Sequence, residues 1–417
     1  MELLAAGSGN PYPLEKHRYE LVEVEERLIY ADHIDRELSC DLIIFLSRHS
    51  SVNPVPVLTV HVTGNISSAD FGGKPGSLPP AAPAWMHAVL GGLSKNAPPG
   101  YRVAYEITHH GPSELETPSF FVEVGSTEKE WNDPVAARAV ALSVLCADPA
   151  GVIPLAGFGG THYAARETEI ALTTRGAFGH IAHSRDISGL NADMVRLMAE
   201  KSGAVAVYVD RKAVTTDENA RLDRAFCECG LVRLTEGDLH HMGALSWSTY
   251  LSFLSLAGKI DPGSQVSLHR FLSDGRPKLI EIPGDLLEET LKTNEKRFTT
   301  GLGELPLAHL STGKRAVLPV FIALEENCPD VLNDLISLCV TTLSSEEHIA
   351  IEGDHLIIRK MRLDPIKARE LGIPKGPLLG VLMKGRNVNV DGREITPEMV
   401  RVRDEKKIHI PGLENYL

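Results

Sequence analysis

The apolar positions of this chain follow two alternating rhythms. Short runs rich in β-branched residues, bounded by Gly, Pro or Asn, predict strands at Glu26–Tyr30, Asp41–Leu46, Pro56–Val62, Tyr101–Thr108, Phe120–Val124, Val152–Phe158 and Ala204–Asp210. Asp41–Leu46 is almost continuously apolar, the pattern of a strand buried on both faces of a mainly parallel sheet. Helical segments lie between the strands. Pro134–Leu145 is rich in Ala, with Asp133 as N-cap and Pro134 in the first turn. Asn191–Lys201 reads as another helix. Strands and helices alternate in this way up to residue 235, which predicts an α/β fold: a three-layer α/β/α sandwich around a mainly parallel or mixed sheet.

The rhythm changes after Thr235. Asp238–Leu256 reads as one helix with an apolar side. Shorter pieces follow, punctuated by Asp261-Pro262-Gly263, Ile282-Pro283-Gly284 and Gly301-Leu302-Gly303. The pattern therefore predicts one domain at residues 1–235 and a smaller α+β C-terminal domain at residues 236–417. A chain of 417 residues is too long for one ordinary core, which agrees with two domains.

Composition narrows the class. Hydrophobic residues make up 43%, ordinary for a soluble globular protein. No apolar run reaches the roughly 18–20 residues needed to span a bilayer. Met1–Gly9 lacks the basic stretch of a secretory signal. A cytoplasmic protein without membrane attachment is expected. Cys40, Cys146, Cys227, Cys229, Cys328 and Cys339 include no CxxC pair, so all six are expected to be buried, inert thiols. The spacing of Cys227 and Cys229 suits a strand or turn.

Charge adds one qualification. The net charge of −13 argues against nucleic acid for the body of the chain. Arg359–Lys407, however, holds 13 Lys+Arg against 7 Asp+Glu, a local balance of +6. Such a basic end allows RNA contact through one surface, and a solvated mixed-charge face explains it equally well.

The candidate chemistry lies mainly in histidines. Ten of the seventeen lie at or before His183, several where predicted strands stop: His49, His61, the pair His109-His110 and His162. In a parallel α/β sheet the loops at strand C-terminal ends converge on one crevice, so distant positions can meet. Neutral imidazole offers a lone pair to Zn²⁺, and a catalytic zinc needs about three protein ligands and an open place. Adjacent side chains on a strand point to opposite faces, so His109 and His110 can share an ion only if Gly111-Pro112 bends the chain. His17, His87 and His180 read as structural. HExxH and HxHxDH motifs are absent. The Gly-rich stretches around Gly72, Gly73 and Lys74, and around Gly159 and Gly160, could present backbone N–H groups to a phosphate or an oxyanion, or could be simple turns. Glu114, Glu167 and Glu169 could act as base or ligand, or be plain surface carboxylates.

Six ordered motifs resemble one family. They are Glu26-Arg27-Leu28-Ile29-Tyr30-Ala31-Asp32-His33-Ile34-Asp35, Ser47-Arg48-His49-Ser50-Ser51, Thr59-Val60-His61-Val62-Thr63-Gly64-Asn65, Ala69-Asp70-Phe71-Gly72-Gly73-Lys74-Pro75, Thr108-His109-His110-Gly111-Pro112-Ser113-Glu114 and Gly159-Gly160-Thr161-His162-Tyr163-Ala164. From Glu26 to Val214 the chain resembles the archaeal and plant type of D-aminoacyl-tRNA deacylase. The resemblance implies a zinc-associated, monomeric, cytosolic enzyme that cleaves the ester joining a D-amino acid to the tRNA 3′ end. It also implies a three-layer α/β/α domain.

Two departures stand out. Family members usually carry an extra βα segment ahead of the first motif, where this chain has a short Gly/Pro-containing start. Where the family commonly has Ala-Pro-Arg, this chain has Ala164-Ala165-Arg166. Separately, Lys367–Gly380 and Val388–Pro397 resemble a short segment of ribonuclease Z, a tRNA 3′-end processing enzyme, without its metal motif. The segment coincides with the basic stretch and hints at tRNA contact.

The expected function is therefore ester hydrolysis of D-aminoacyl-tRNA by a zinc-activated water. His61, His109, His110 and His162 are the expected metal residues, with His109, His110, Glu114 and Glu169 as catalytic groups. Lys74, Arg166 and the glycines Gly72, Gly73, Gly159 and Gly160 are the expected substrate contacts. Peptidyl-tRNA hydrolysis or peptidase chemistry on the same scaffold, or a non-catalytic tRNA-binding protein, are the alternatives.

Overall fold

The computed structural model describes residues 19–271, 273–344, 349–374 and 376–416. His17, read above as structural, lies outside them. The chain packs as two compact units, residues 1–243 and 244–417.

The first unit contains strands β1 (Ile43–Arg48) and β2 (Val57–His61), helix α1 (Pro83–Asn96), strands β3 (Arg102–Tyr105) and β4 (Ser119–Gly125), and helices α2 (Glu128–Trp131) and α3 (Pro134–Leu145). Strand β5 (Ile153–Gly160), helix α4 (Ala165–Thr173), strand β6 (Gly176–His183), helix α5 (Ala192–Lys201), strand β7 (Ala206–Val209), helix α6 (Thr216–Cys229), strand β8 (Val232–Leu234) and helix α7 (Glu236–His241) follow. The strands form two four-stranded sheets rather than one. The first is mixed, in the order β1-β4-β2-β3, and the second is wholly parallel, in the order β6-β5-β7-β8. The chain leaving β3 joins them: Ile107 N donates to His162 O at 3.1 Å and Thr108 N donates to Ile181 O at 2.8 Å.

Layering follows from side-chain alternation along the strands. Ala156 and Phe158 of β5 and Val207 and Val209 of β7 pack against Val195 and Met198 of α5 and Leu222 and Phe226 of α6. On the other face, Gly176 sits against both Leu155 of β5 and Ile170 of α4. The parallel sheet thus lies between two helical layers, as the alternating pattern predicts. Asp133 caps α3 by accepting from Val135 N at 2.8 Å.

Several expectations are corrected. The predicted strand at Glu26–Tyr30 is a 3-10 turn at Leu28–Tyr30. β1 is an edge strand with Leu46 half exposed, so it is not buried on both faces. The single helix expected at Asp238–Leu256 is two, because Gly243 takes a left-handed φ of 52° and Ser246 caps a new helix through Thr249 N. Cys227 and Cys229 lie in α6, started by a Thr215/Glu218 capping box, rather than in a strand or turn. Cys40 and Cys227 are exposed, so the cysteines are not uniformly buried.

The second unit begins with α8 (Trp247–Ile260), β9 (Gln265–Leu268), β10 (Pro277–Glu281), α9 (Gly284–Leu302), β11 (Leu307–Ser311), β12 (Val320–Leu324) and α10 (Cys328–Leu343). It continues with β13 (Ile349–Glu352), β14 (His355–Leu363), α11 (Pro365–Glu370), α12 (Pro377–Met383), β15 (Val388–Val390), β16 (Arg393–Ile395), α13 (Pro397–Val400) and β17 (Arg401–His409). Its sheets are antiparallel: β10-β12-β11-β9, β13-β14-β17 and the hairpin β15-β16. Among the described residues no helix is long and apolar enough to cross a membrane.

Candidate active site

All four strands of the mixed sheet and one loop of the parallel sheet deliver the chemistry. His61 is the last residue of β2 and is fully buried. His49 follows β1, its amide donating to Val124 O at 2.9 Å. Glu106 extends β3, its amide donating to Val60 O at 3.1 Å, and Glu123 lies on β4. His162 follows β5.

His109 and His110 lie beyond the end of β3, not within it. His110 has a left-handed φ of 50°, and the two imidazole centroids are 4.4 Å apart. The turn thus defeats the alternation that would have placed them on opposite faces. His109 Nδ1 donates to Ile107 O at 2.8 Å and His110 Nδ1 donates to Gly111 O at 2.6 Å. Each bond fixes a tautomer that leaves the Nε2 lone pair free, the usual arrangement behind a metal-binding imidazole.

The electrostatics divide the cluster in two. Burial pushes His61 well below the usual imidazole range, and the neighbouring His109 adds to this. Burial also lowers His109, to about 4, and lowers His110 and His162. All four are therefore neutral ligand forms near pH 7. His49 is the opposite case. Burial opposes its charge, but the Glu106 and Glu123 carboxylates outweigh burial and raise it to about 11. Its Nδ1 is 3.1 Å from Glu106 Oε1 and 3.2 Å from Glu123 Oε2, where the aligned hydrogen bond forms. Its Nε2 is 3.2 Å from Tyr163 Oη. Burial would raise Glu106, but the neighbouring His49 imidazolium outweighs it and holds the carboxylate well below the usual range.

The polar atoms left over are those a cation would satisfy. Both Glu106 oxygens and His61 Nδ1 are buried without an aligned hydrogen bond. The free lone pairs of His109 Nε2 and His110 Nε2 face, respectively, Glu106 Oε2 at 3.4 Å and His61 Nε2 at 3.1 Å. Two nitrogens bound tetrahedrally to one zinc would be roughly 3.3 Å apart. His61, His109 and His110 form one group whose ligand atoms lie within 4.8 Å of one another; His49, Glu106 and His162 form a second, and His61, Glu106 and Glu123 a third. Nitrogen and carboxylate donors of this kind suit zinc.

A family profile described as D-aminoacyl-tRNA deacylase matches residues 36–232. A protein of Methanoculleus marisnigri named D-aminoacyl-tRNA deacylase is 51% identical over 100% of this chain and 95% of its own length. The chain belongs to the D-aminoacyl-tRNA deacylase family. A Methanoregula boonei protein of the same name is 51% identical, covering 95% of this chain and 92% of itself. A crystal structure described as a conserved protein of unknown function is 39% identical over 52% of this chain and 80% of its own, with a TM-score of 0.49.

Within this deacylase-family chain the expected site residues separate. His61, His109, His110 and His162 come together. Glu114 does not join them: its carboxylate takes Lys74 Nζ at 2.7 Å and stands 3.5 Å from His33 Nε2. Glu169 is exposed and pairs with Arg166 at 2.7 Å, while Arg166 also holds Glu236 at 2.6 Å. Glu167 is fully buried, not a surface carboxylate.

The four glycines are closely packed. Gly72, at φ +81°, lets Ile29 O approach closely, and a Cβ on Gly73 would meet Ser113 Oγ at 2.6 Å. The Lys74 amide is already taken by Ser113 Oγ at 2.8 Å. Gly159 and Gly160 lie inside β5, where a Cβ would meet Asp210 O at 3.1 Å and Ile181 Cγ2 at 3.1 Å, respectively. His87 and His180 are structural, bonded to Thr174 O and Pro79 O.

Glu106 and Glu123 were missed by sequence reading. Glu106 had a visible signal: a lone carboxylate in the apolar run Val103–Ile107 must meet a positive partner when buried.

Proposed function

We propose that this chain hydrolyses the ester of D-aminoacyl-tRNA, releasing the D-amino acid and tRNA, with His61, His109, His110, His162 and Glu106 holding a zinc ion. When bound, zinc would supply Lewis acidity, lowering the pKa of water to about 7. The rest of the chemistry belongs to the chain. Neutral imidazoles with Nδ1–H groups bonded to carbonyls present fixed lone pairs. Glu106 offsets the added positive charge. His49, kept as an imidazolium by Glu106 and Glu123, directs its Nε2–H at Tyr163 Oη and turns the Tyr163 hydroxyl proton outward. Water oxygen bonds to the carbonyl carbon and the bond to the ribose oxygen breaks; the ribose oxygen takes a proton from Tyr163 Oη, and the proton released by the water as the acid forms returns to Tyr163.

The observation that carries this reading is Glu106: a buried, anionic carboxylate with three imidazole nitrogens within 3.4 Å and no aligned hydrogen bond. We read residues 1–235 as the catalytic domain of a cytoplasmic monomer and residues 236–417 as an extension that contacts tRNA, in keeping with its ribonuclease Z-like segment. The test is hydrolysis of tRNA charged with D-tyrosine, L-tyrosine or N-acetyl-D-tyrosine, with and without verified metal removal. Loss of only the free D-ester, abolished by metal removal and restored by zinc, is expected. Equal rates on the D- and L-esters, or preference for the N-blocked ester, would overturn the reading.

A further inference from the structure

Residues 364–400 fold as a lobe between neighbouring strands β14 and β17. Helices α11, α12 and α13 and the β15–β16 hairpin enclose a small core of Ala368, Ile373, Leu382, Val388, Ile395 and Val400. Asp364 N donates to Val400 O at 2.9 Å and ties the base of the lobe. So small a core leaves most of the lobe at the surface.

The lobe alone holds six Lys+Arg against five Asp+Glu, and most of the excess positive charge of residues 359–407 lies on the flanking strands β14 and β17, but several exposed cations of the lobe and of β17 are unspent. Arg369, Lys384, Arg386 and Arg393 are exposed, as is Arg403 on adjoining β17. Among the described residues no acidic side chain pairs with any of these five. Other cations of the unit do pair: Arg359 with Glu352 and Glu405, Arg401 with Glu398, and Lys406 with Glu289. Large apolar side chains stand exposed in the same region. Met361 is 61% exposed and lies directly across the ladder from Arg403, and Met383, at the end of α12, is 72% exposed.

Exposed cations beside apolar side chains match a nucleic-acid surface, where charge meets phosphate and apolar groups cover sugar or base faces. The charge contrast is marked. The whole chain is at −13 while residues 359–407 stand at +6, so the remainder would repel a polyanion that this segment attracts. The family profile ends at residue 232, so the pattern that defines the family does not account for the lobe.

We propose that this lobe binds the phosphate backbone of the tRNA substrate. The proposal rests on the function proposed above for the choice of RNA, and on the exposed, unpaired cations of the lobe and β17 within the +6 segment 359–407 for the location. It holds tRNA by charge, independently of the amino acid and of ester cleavage.

The experiment uses the full chain and a variant carrying R369Q, K384Q, R386Q, R393Q and R403Q, all at exposed positions. Binding of uncharged tRNA is titrated from about 50 to 200 mM salt, where each phosphate contact contributes about −0.7 to −0.9 to the log–log slope. If each cation meets one phosphate, the five substitutions flatten the slope by about 3.5–4.5, and they are expected to weaken binding at least tenfold near 150 mM. KM for D-tyrosyl-tRNA should rise with kcat kept. Hydrolysis of the small ester 3′-O-D-tyrosyl-adenosine should be unchanged. Replacing the four arginines by Lys should restore the slope. An unchanged slope and KM would overturn the proposal. So would loss of binding to phosphatidylserine vesicles with tRNA binding intact. Uncharged tRNA reads the lobe even if the chain cleaves no D-ester, so the two proposals fail separately.

Discussion

His61 and His110 face each other through their Nε2 atoms, 3.1 Å apart. His110 Nδ1 is committed to Gly111 O, so its Nε2 carries a lone pair. His61 has no satisfactory tautomer: a proton on Nε2 leaves a buried Nδ1 acceptor unmet, and a proton on Nδ1 sets two lone pairs against each other. A cation between the Nε2 atoms removes the conflict at that end. His110→Ala and His61→Ala are each expected to lower bound zinc in the purified protein and to reduce D-tyrosyl-tRNA hydrolysis at least ~100-fold. Elemental analysis beside the charged-tRNA assay checks both, and full zinc content in both variants would remove these residues from the site.

Glu106 supplies the negative charge of the cluster, with Oε2 3.4 Å from both His109 Nε2 and His162 Nε2. Glu106→Gln keeps the shape and deletes the charge. Zinc affinity is expected to fall ~10–100-fold, the range typical of a lost carboxylate partner. Competition against a chelator of known affinity measures this. An affinity equal to that of the unaltered protein would show that the carboxylate acts only on His49.

Two aspartates hold the segment that follows His110. Asp32 Oδ1 accepts from Ser113 N at 2.7 Å and Glu114 N at 2.9 Å; Asp35 Oδ2 accepts from Glu116 N at 2.6 Å and Thr117 N at 3.0 Å. Each carboxylate therefore makes two charge-assisted bonds, so Asp32→Ala or Asp35→Ala should cost about 2–4 kcal/mol. Burial would raise Asp35, but the Glu116 and Thr117 amides outweigh it and lower its pKa. Its stabilisation is thus present above the unfolded carboxylate value and lost as pH falls through the lower folded value. Denaturant melts at pH 7 test the size. A loss below ~0.5 kcal/mol in both variants would mean the segment is held by other contacts.

The path from sequence to site was uneven for physical reasons. Strands β2, β5 and β7 and helices α3 and α5 were legible because their burial is local and periodic. Leu28–Tyr30 looks equally strand-like, yet it forms a turn whose neighbouring aspartates are used by a segment some eighty residues away. No local pattern reports such a partner. The four clustered histidines could be named because strand ends converge. His49 was visible as a strand-end histidine, but its charge depends on Glu106 and Glu123, which only tertiary packing brings to it. Glu114, Glu169, Lys74 and Arg166 have the right chemistry in the right motifs, and the structure turns them to pairing with other charges. Residue type alone does not distinguish the two uses.

Glu167 offers a test outside the histidine cluster. It is fully buried in the first turn of α4, with both oxygens lacking a hydrogen-bond partner. Burial raises its pKa to about 7, Asp210 adds to this, and Arg166 opposes it. Between the unfolded value near 4.5 and the folded value near 7, the native state binds the proton and the unfolded chain does not. Stability therefore falls as pH rises through that window and levels off above it, by about 3 kcal/mol at most. Glu167→Gln removes the titration while keeping the shape. The variant should match the unaltered protein near pH 5 and be the more stable of the two near pH 8. Taking the difference between the two melts cancels every other titrating group, so a difference that stays constant from pH 5 to 8 would show that Glu167 ionises in the fold as readily as in water.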